Sequence, residues 1–163
     1  MMNNYQPDCN EKFRNVENLF NLHRVMERDE KLKYIQQCDS AYTISVIQRK
    51  DFGELFEKIH HNAVFLGMKY ASEYVGYAAI YVNDFENYSA YITLICVSKN
   101  FQRLHLGSNM MNECICVAKK SGMKRIRLEV LKKDTHVIEF YKSFGFSLEK
   151  KEKENSIYMS REI

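Results

Sequence analysis

Val97-Ser98-Lys99-Asn100-Phe101-Gln102-Arg103-Leu104-His105-Leu106-Gly107-Ser108 joins two different sequence periods. An apolar run ends in it, a polar turn follows and a helical pattern begins, which predicts a strand, a loop and a helix N-terminus. The first four N–H groups of a helix have no internal partner, and the macrodipole is positive there. A loop wrapped into this end can therefore hold a diphosphate mainly through backbone donors. Gly107, without a Cβ, permits close approach of the backbone, and Ser108 leaves room for the oxygens. An ordinary strand–turn–helix junction looks the same in isolation, so the neighbouring segments decide between the two readings.

Upstream, three apolar, aromatic-rich runs at Ala63–Tyr70, Tyr74–Asn83 and Tyr88–Val97 are separated by short polar breaks, which predicts antiparallel hairpins. Downstream, Gly107–Ser121 reads as a helix with Met110, Cys114, Val117 and Ala118 as its buried stripe and Gly122 as its stop. Arg125–Val130 is the next strand, and the intervening helix allows it to run parallel to Tyr88–Val97 through a right-handed crossover. Asp134 is placed to cap a helix carrying Val137, Ile138, Tyr141 and Phe144, and Phe146–Glu149 with Asn155–Met159 would close a terminal hairpin. Toward the N-terminus, Phe13, Val16, Leu19, Phe20, His23 and Met26 recur at helical spacing, predicting a helix over 11–28, with Leu32 and Ile35 on a shorter turn to Gln37. Tyr42, Ile44 and Val46 alternate as in a short strand. Asp51 would cap a helix that buries Phe52, Leu55, Phe56 and Ile59 and ends near His60-His61. The expected product is a mixed α/β fold in one domain over 1–163, with 1–40 as a helical N-terminal extension.

Composition bounds the function. The 163 residues are 45% hydrophobic and 28% charged, enough for one substantial core. No run approaches the ~20 apolar residues needed to span a bilayer and the start lacks a secretory layout, so the expected location is the cytoplasm, with no membrane partner. A formal net charge of +3 is too small to point to nucleic acid. Cys9, Cys38, Cys96, Cys114 and Cys116 are odd in number and scattered, so neither a disulfide nor a metal site is expected of them. Adjacent His60 and His61 lie on different helical faces, which argues against metal there too. Glu149-Lys150-Lys151-Glu152-Lys153-Glu154 alternates in sign without apolar interruption and reads as an exposed hairpin approach.

Taken in order, Ser89–Val97, Gln102–Gly107, Leu128-Glu129-Val130, Asp134–Tyr141 and Phe144-Gly145-Phe146 resemble the GNAT N-acetyltransferase superfamily, over about residues 63–163. Its acyl-CoA loop has the form Gln/Arg-x-x-Gly-x-Gly/Ala after a strand ending in Val. Gln102, Arg103, Leu104, His105, Leu106 and Gly107 fall in register. His105 occupies the place of the first glycine, and His enters the left-handed region less readily than Gly. The resemblance implies a largely antiparallel mixed sheet splayed around a central parallel strand pair and flanked by helices. It implies acetyl-CoA as acetyl donor, with no metal. Pantetheine would pair with the main chain of Ile95, Cys96 and Val97, and the amides from Gln102 to Ser108 would hold the pyrophosphate. Asp134 stands where the family often has Asn, keeping an acceptor and losing two amide donors.

By the same resemblance Tyr141 is the tyrosine that meets the CoA sulfur, where a phenol of pKa about 10 can protonate a departing thiolate. The acceptor amine must also lose a proton. The Tyr91–Val97 strand holds no carboxylate, so the glutamate of some relatives is absent and Glu129 is the nearest acidic candidate, with Tyr81, Asn83 and Tyr91 as groups that could orient the amine or its water. The expected activity is transfer of an acetyl group from acetyl-CoA directly to a primary amine, a small molecule being the favoured acceptor. A domain that binds acyl-CoA without turnover is the alternative, motivated by the replaced glycine and the missing strand glutamate. Self-association as a homodimer is left open.

Overall fold

The computed structural model describes residues 19–163. Its frame is a seven-stranded sheet in the order β1-β2-β3-β4-β5-β7-β6. The strands are β1 (Phe20–Arg24), β2 (Ala63–Tyr70), β3 (Glu73–Asp84), β4 (Ser89–Val97), β5 (Arg125–Leu131), β6 (Ser147–Glu152) and β7 (Ser156–Glu162). Every neighbouring pair is antiparallel except β4 and β5, which run parallel. Four helices accompany it: α1 (Arg28–Cys38), α2 (Phe52–Asn62), α3 (Leu106–Lys120) and α4 (Thr135–Ser143). The mixed α/β architecture with a central parallel pair is the one expected.

Two apolar clusters cover the two faces. On one, Leu106, Met110, Met111, Cys114 and Ala118 of α3 and Tyr141 of α4 pack on Val75, Ala78, Ile80, Ile92, Ile126 and Leu128. On the other, Tyr34, Ile35 and Cys38 of α1 and Phe56 and Ile59 of α2 pack on Phe65, Tyr77, Ala79 and Leu94. β4 changes sides part-way. Its register on β3 passes from Ile80↔Ile92 to Ala79↔Leu94, so Thr93 is an extra residue without a partner. A bulge of this kind bends the strand and reverses the alternation beyond it. Ala90 and Ile92 therefore face α3, Leu94 and Cys96 face α1, and Ile95 and Val97 return to the α3 side.

The N-terminal third departs from the reading of the sequence. The expected helix over 11–28 lies outside the described residues as far as 18, and from Phe20 to Arg24 the chain is strand β1, paired with Leu66–Tyr70 of β2. Neighbouring strand edges satisfy backbone groups that an isolated amphipathic turn would leave to water, and tertiary pairing overrides the local period. The 1–40 extension expected as helical is thus, from Phe20 onward, part of the sheet and of the α1 cluster. Nor do Tyr42, Ile44 and Val46 form a strand. The Asp39 carboxylate accepts from Ser45 Oγ (2.6 Å) and from the amides of Val46 (2.8 Å) and Ile47 (3.2 Å), folding 39–51 into successive turns. Asp51 sits at the N-cap of α2 without capping it, since its carboxylate is held by Arg49 at 2.9 and 2.8 Å. Among the cysteines, Cys38, Cys96 and Cys114 are free thiols, whereas Cys116 is disulfide-bonded, which corrects the expectation of no bridge.

Candidate functional site

The parallel pairing of β4 with β5 covers only Ser89↔Arg125 to Ile92↔Leu128. Beyond it β4 continues to Val97 paired with β3 alone, and β5 continues to Leu131 paired with β7 alone. The Thr93 bulge stands where the ladder stops, so the bend and the parting of the strands coincide. Leu94–Val97 thereby present one unpaired main-chain edge toward a gap in the middle of the sheet. Such an edge is a template for an extended ligand. Gly76 makes it accessible to β3, because a Cβ there would stand 2.7 Å from the Cys96 carbonyl oxygen.

The loop expected to hold phosphate sits at the mouth of this gap. Ser98 N–H donates to Val75 O (2.7 Å), Phe101 N–H to Ser98 O (2.9 Å), and the Gln102 side chain to Val97 O (3.0 Å), which pins the loop to the end of β4. Arg103 (φ 65°) and His105 (φ 60°) are both left-handed, and His105 is the N-cap of α3. The position where the family motif has glycine thus demands a left-handed angle here too, and His105 adopts it at a cost of about 1–2 kcal/mol. From Arg103 to Ser108 the main-chain N–H groups have no protein acceptor among the described residues. The first bond into the helix is Asn109 N–H to His105 O (3.1 Å). Gly107 lies in the first turn of α3, and a Cβ on it would touch Phe140 at 3.6 Å and Val97 at 4.0 Å, so the fold itself has room for one. Leu104 projects into solvent, while Leu106 is buried beneath the loop.

Tyr141 reaches the same region from α4. Its ring is buried against Phe140 (5.7 Å between centroids) and Phe146 (5.9 Å), and its hydroxyl has no protein partner among the described residues. Burial, reinforced by Cys114, Cys96 and Asp134, pushes the phenol well above its ordinary value, so it stays protonated. Beyond the end of α4 the chain turns at Gly145 (φ 81°), where Gly145 N–H and Phe146 N–H donate to Lys142 O and Tyr141 O; the left-handed angle explains the glycine of Phe144-Gly145-Phe146. Asp134 is the N-cap of α4 by position but makes no side-chain cap. Its Oδ1 accepts instead from Thr43 Oγ1 (2.9 Å), joining the 39–51 segment to the start of α4.

The opposite face at the root of the gap is built of paired charges. Glu129 is the first residue of β5 beyond the last β4 pair. Its two oxygens accept from the Ser156 hydroxyl and from Lys153 Nζ (3.0 Å). Burial works to raise its carboxyl, but the bonds from Ser156 and Lys153 outweigh it and leave the group below the ordinary carboxylate value. Arg127 pairs with Glu149 through two 2.7 Å bonds. Tyr91 lies opposite Arg127, and burial together with Glu129 pushes its phenol up to about 12. Tyr81 is opposite Tyr91 on β3, its hydroxyl enclosed without a partner among the described residues. Asn83 is exposed and lies further toward the hairpin end, near the Asp84↔Ser89 pair and away from the gap. The structure therefore brings Tyr141, the loop and the β4 edge together, sets Glu129 and Tyr91 on the other face, and leaves Asn83 apart. Thr43, Gly76, Lys153 and Ser156 were not singled out from the sequence; only the sign alternation around Lys153 gave any signal.

Comparison with known proteins accords with this geometry. The fold is similar to that of the ribosomal-protein-S18-alanine N-acetyltransferase from Escherichia coli, with 16% identity, a TM-score of 0.74, and 89% of this chain and 94% of that one covered. It is similar to the PaiA N-acetyltransferase from Thermoplasma acidophilum in complex with coenzyme A (16% identity, TM-score 0.70, 88% and 99% covered). A GNAT family acetyltransferase from Elizabethkingia anophelis with acetyl-CoA bound is a third such structure (17% identity, TM-score 0.68, 90% and 100% covered). At these identities the likeness is one of fold. No curated protein sequence matches the chain. The profile of the acetyltransferase (GNAT) family matches residues 24–146, three quarters of the chain, and the protein belongs to that family.

Proposed function

We propose that the protein is an acetyl-CoA-dependent N-acetyltransferase that moves the acetyl group directly to a primary amine. One observation carries the reading: the parting of β4 and β5 past Ile92↔Leu128 opens a gap lined by the β4 edge, the amides of Arg103–Ser108 and the hydroxyl of Tyr141, all without a partner among the described residues. These groups fit acyl-CoA in kind: donors without acceptors for a diphosphate, a strand edge for an amide-bearing arm, and a phenol for a sulfur. Main-chain groups of Ile95, Cys96 and Val97 would hold the arm, and the loop from Gln102 to Ser108 the pyrophosphate, with Gln102 fixing the loop to Val97.

When bound, acetyl-CoA supplies an acyl thioester. A main-chain N–H of the free β4 edge next to Cys96 would meet the charge that develops on the thioester oxygen. Tyr141, kept protonated by burial, would give its hydroxyl proton to the sulfur as the C–S bond breaks and the amine nitrogen takes the acyl carbon. On the acceptor side Glu129 attracts the incoming ammonium. A carboxyl held below its ordinary value is a weak base, so Glu129 positions the amine while its proton leaves through water. Tyr91 remains a phenol at neutral pH and orients that water. Asp134, engaged by Thr43, ties the 39–51 segment to the helix that presents Tyr141.

Binding only the native state raises apparent stability, so acetyl-CoA should raise the melting temperature and titrate with one site by calorimetry. Absence of both effects at saturating acetyl-CoA would overturn the proposal.

A further inference from the structure

Lys153 occupies an unusual position for a residue in a charged hairpin. It lies between β6 and β7, where its main-chain N–H donates to Ser156 O (2.9 Å) and closes the turn. Its ammonium turns back onto the sheet. It sits 3.0 Å from Glu129 Oε2 and 5.4 Å from the centroid of the Tyr158 ring, on the face opposite α3 and α4. Tyr158 is the direct β7 partner of Glu129, and Tyr91 lies two residues back across the β4–β5 pairing, opposite Arg127. A carboxylate, an aromatic face and a neighbouring phenol are the groups that recognise an alkylammonium. They stand at the root of the gap, and the protein fills the place with an alkylammonium of its own. The Lys153 side chain is 57% exposed and that of Glu129 28%. Ion pairs so exposed are weak and exchange readily.

We propose that Glu129, Tyr158 and Tyr91 form the subsite for the acceptor's ammonium, that Lys153 holds this subsite until the acceptor displaces it, and that the acceptor is a primary amine on an extended aliphatic chain. The inference rests on the acetyltransferase reading and adds the substrate class to it. The shared chemistry is that of a linear diamine or polyamine and of a lysyl side chain. An amino sugar carries its amine directly on a bulky polar ring and lacks the four-methylene stem by which Lys153 reaches this place. Arg127, also over Tyr158 at 5.3 Å, is already neutralised by Glu149 and stays in place. Lys153 thus sets a threshold: only a cation that makes both the Glu129 contact and the aromatic contact replaces it.

The test is calorimetric titration of the CoA-saturated protein with 1,5-diaminopentane, Nα-acetyl-lysine amide and glucosamine. Lys153→Ala removes the competing cation and should tighten both alkylamines about two- to five-fold, the range set by displacement of an exposed pair. Glu129→Gln should weaken them about ten-fold or more, since the charged acceptor of the ammonium is gone. Glucosamine should bind weakly and respond to neither change. Whichever alkylamine binds more tightly identifies a free diamine or a lysyl chain as the source. Should Lys153→Ala fail to fold by circular dichroism, Lys153→Met keeps the apolar stem and carries the same expectation. Alkylamine affinity that is unchanged or weaker without the Lys153 charge overturns the inference, as does glucosamine binding more tightly than both. CoA that fails to bind at all would instead overturn the acetyltransferase reading.

Discussion

The two sides of the central gap are built on opposite principles. On the α3–α4 side the polar groups are main-chain donors and one phenol, and they lack protein partners among the described residues: the amides of Arg103–Ser108 and the Tyr141 hydroxyl. On the other side they are side-chain ions, and nearly all are paired: Glu129 with Lys153, Arg127 with Glu149, Arg49 with Asp51. Unpartnered donors held in a fixed backbone stand ready for a ligand, and little has to move when it arrives. Paired ions must exchange partners first, so affinity is lower and selectivity comes from what can compete. The first side suits a cofactor shared by many enzymes and the second an acceptor peculiar to this one.

Tyr141→Phe should break the first side most severely. The ring packing on Phe140 and Phe146 survives while the proton donor goes, so kcat should fall on the order of 10²-fold or more with acetyl-CoA binding retained. Steady-state thiol release beside calorimetry checks it; a two- or three-fold loss, where chemistry is limiting, would make Tyr141 a packing residue. Gly107→Val comes next. Since a Cβ at Gly107 would meet only Phe140 and Val97 at ordinary contact distance, the variant should keep its circular-dichroism spectrum. Its acetyl-CoA affinity should fall about ten-fold or more, because the added bulk stands where the oxygens must approach the amides. Normal affinity would remove the loop from the site.

Gly76→Ala sharpens the comparison from behind the strand. Its Cβ would lie 2.7 Å from the Cys96 carbonyl, and a main-chain oxygen cannot step aside as a flexible side chain can. The expected loss is about 1–3 kcal/mol in urea denaturation, together with weaker acetyl-CoA binding. Gly53→Ala, with nothing within 4 Å and inside α2, is the control and should be neutral or stabilising by about 0.5–1 kcal/mol. The smallest effect belongs to His105→Gly. Relief of the left-handed angle is opposed by the greater freedom of glycine in the unfolded chain, so stability should change by less than about 1 kcal/mol. Acetyl-CoA affinity should be unchanged or better, and a clear loss would show that the imidazole itself takes part in binding.

The sequence made the first side legible and left the second largely hidden, for a physical reason. A loop of main-chain donors requires a local pattern: a strand ending in Val97, a helix beginning at Leu106 and a small residue at Gly107. All of it lies within a dozen residues. Strand limits from Ala63 to Val97 followed similarly from alternation and short polar breaks. The paired side is assembled from distant pieces, with Glu129, Lys153 and Ser156 meeting only through the β5–β7 register. Asp39 and Asp134 illustrate the same difficulty. Each looks like a local cap or turn residue, and each spends its carboxylate elsewhere, Asp39 on the 45–47 segment and Asp134 on Thr43. The Thr93 bulge, which parts the strands, leaves no mark in the alternation of Tyr91 to Val97. β1 was hidden because Phe20 to Arg24 is too short for its period to outweigh the longer helical pattern around it.

Acetyl transfer to an amine releases a free thiol for every acceptor consumed, so acceptor-dependent thiol release is the decisive measurement. The protein, acetyl-CoA and each of a panel of primary amines should be followed by thiol formation and by product mass. The account predicts that thiol appears only when an amine is present, in step with the N-acetylated amine, with extended alkylamines ahead of amino sugars. Acetyl-CoA that binds yet releases no thiol beyond the uncatalysed rate with any amine in the panel would contradict it and leave a domain that only holds the cofactor.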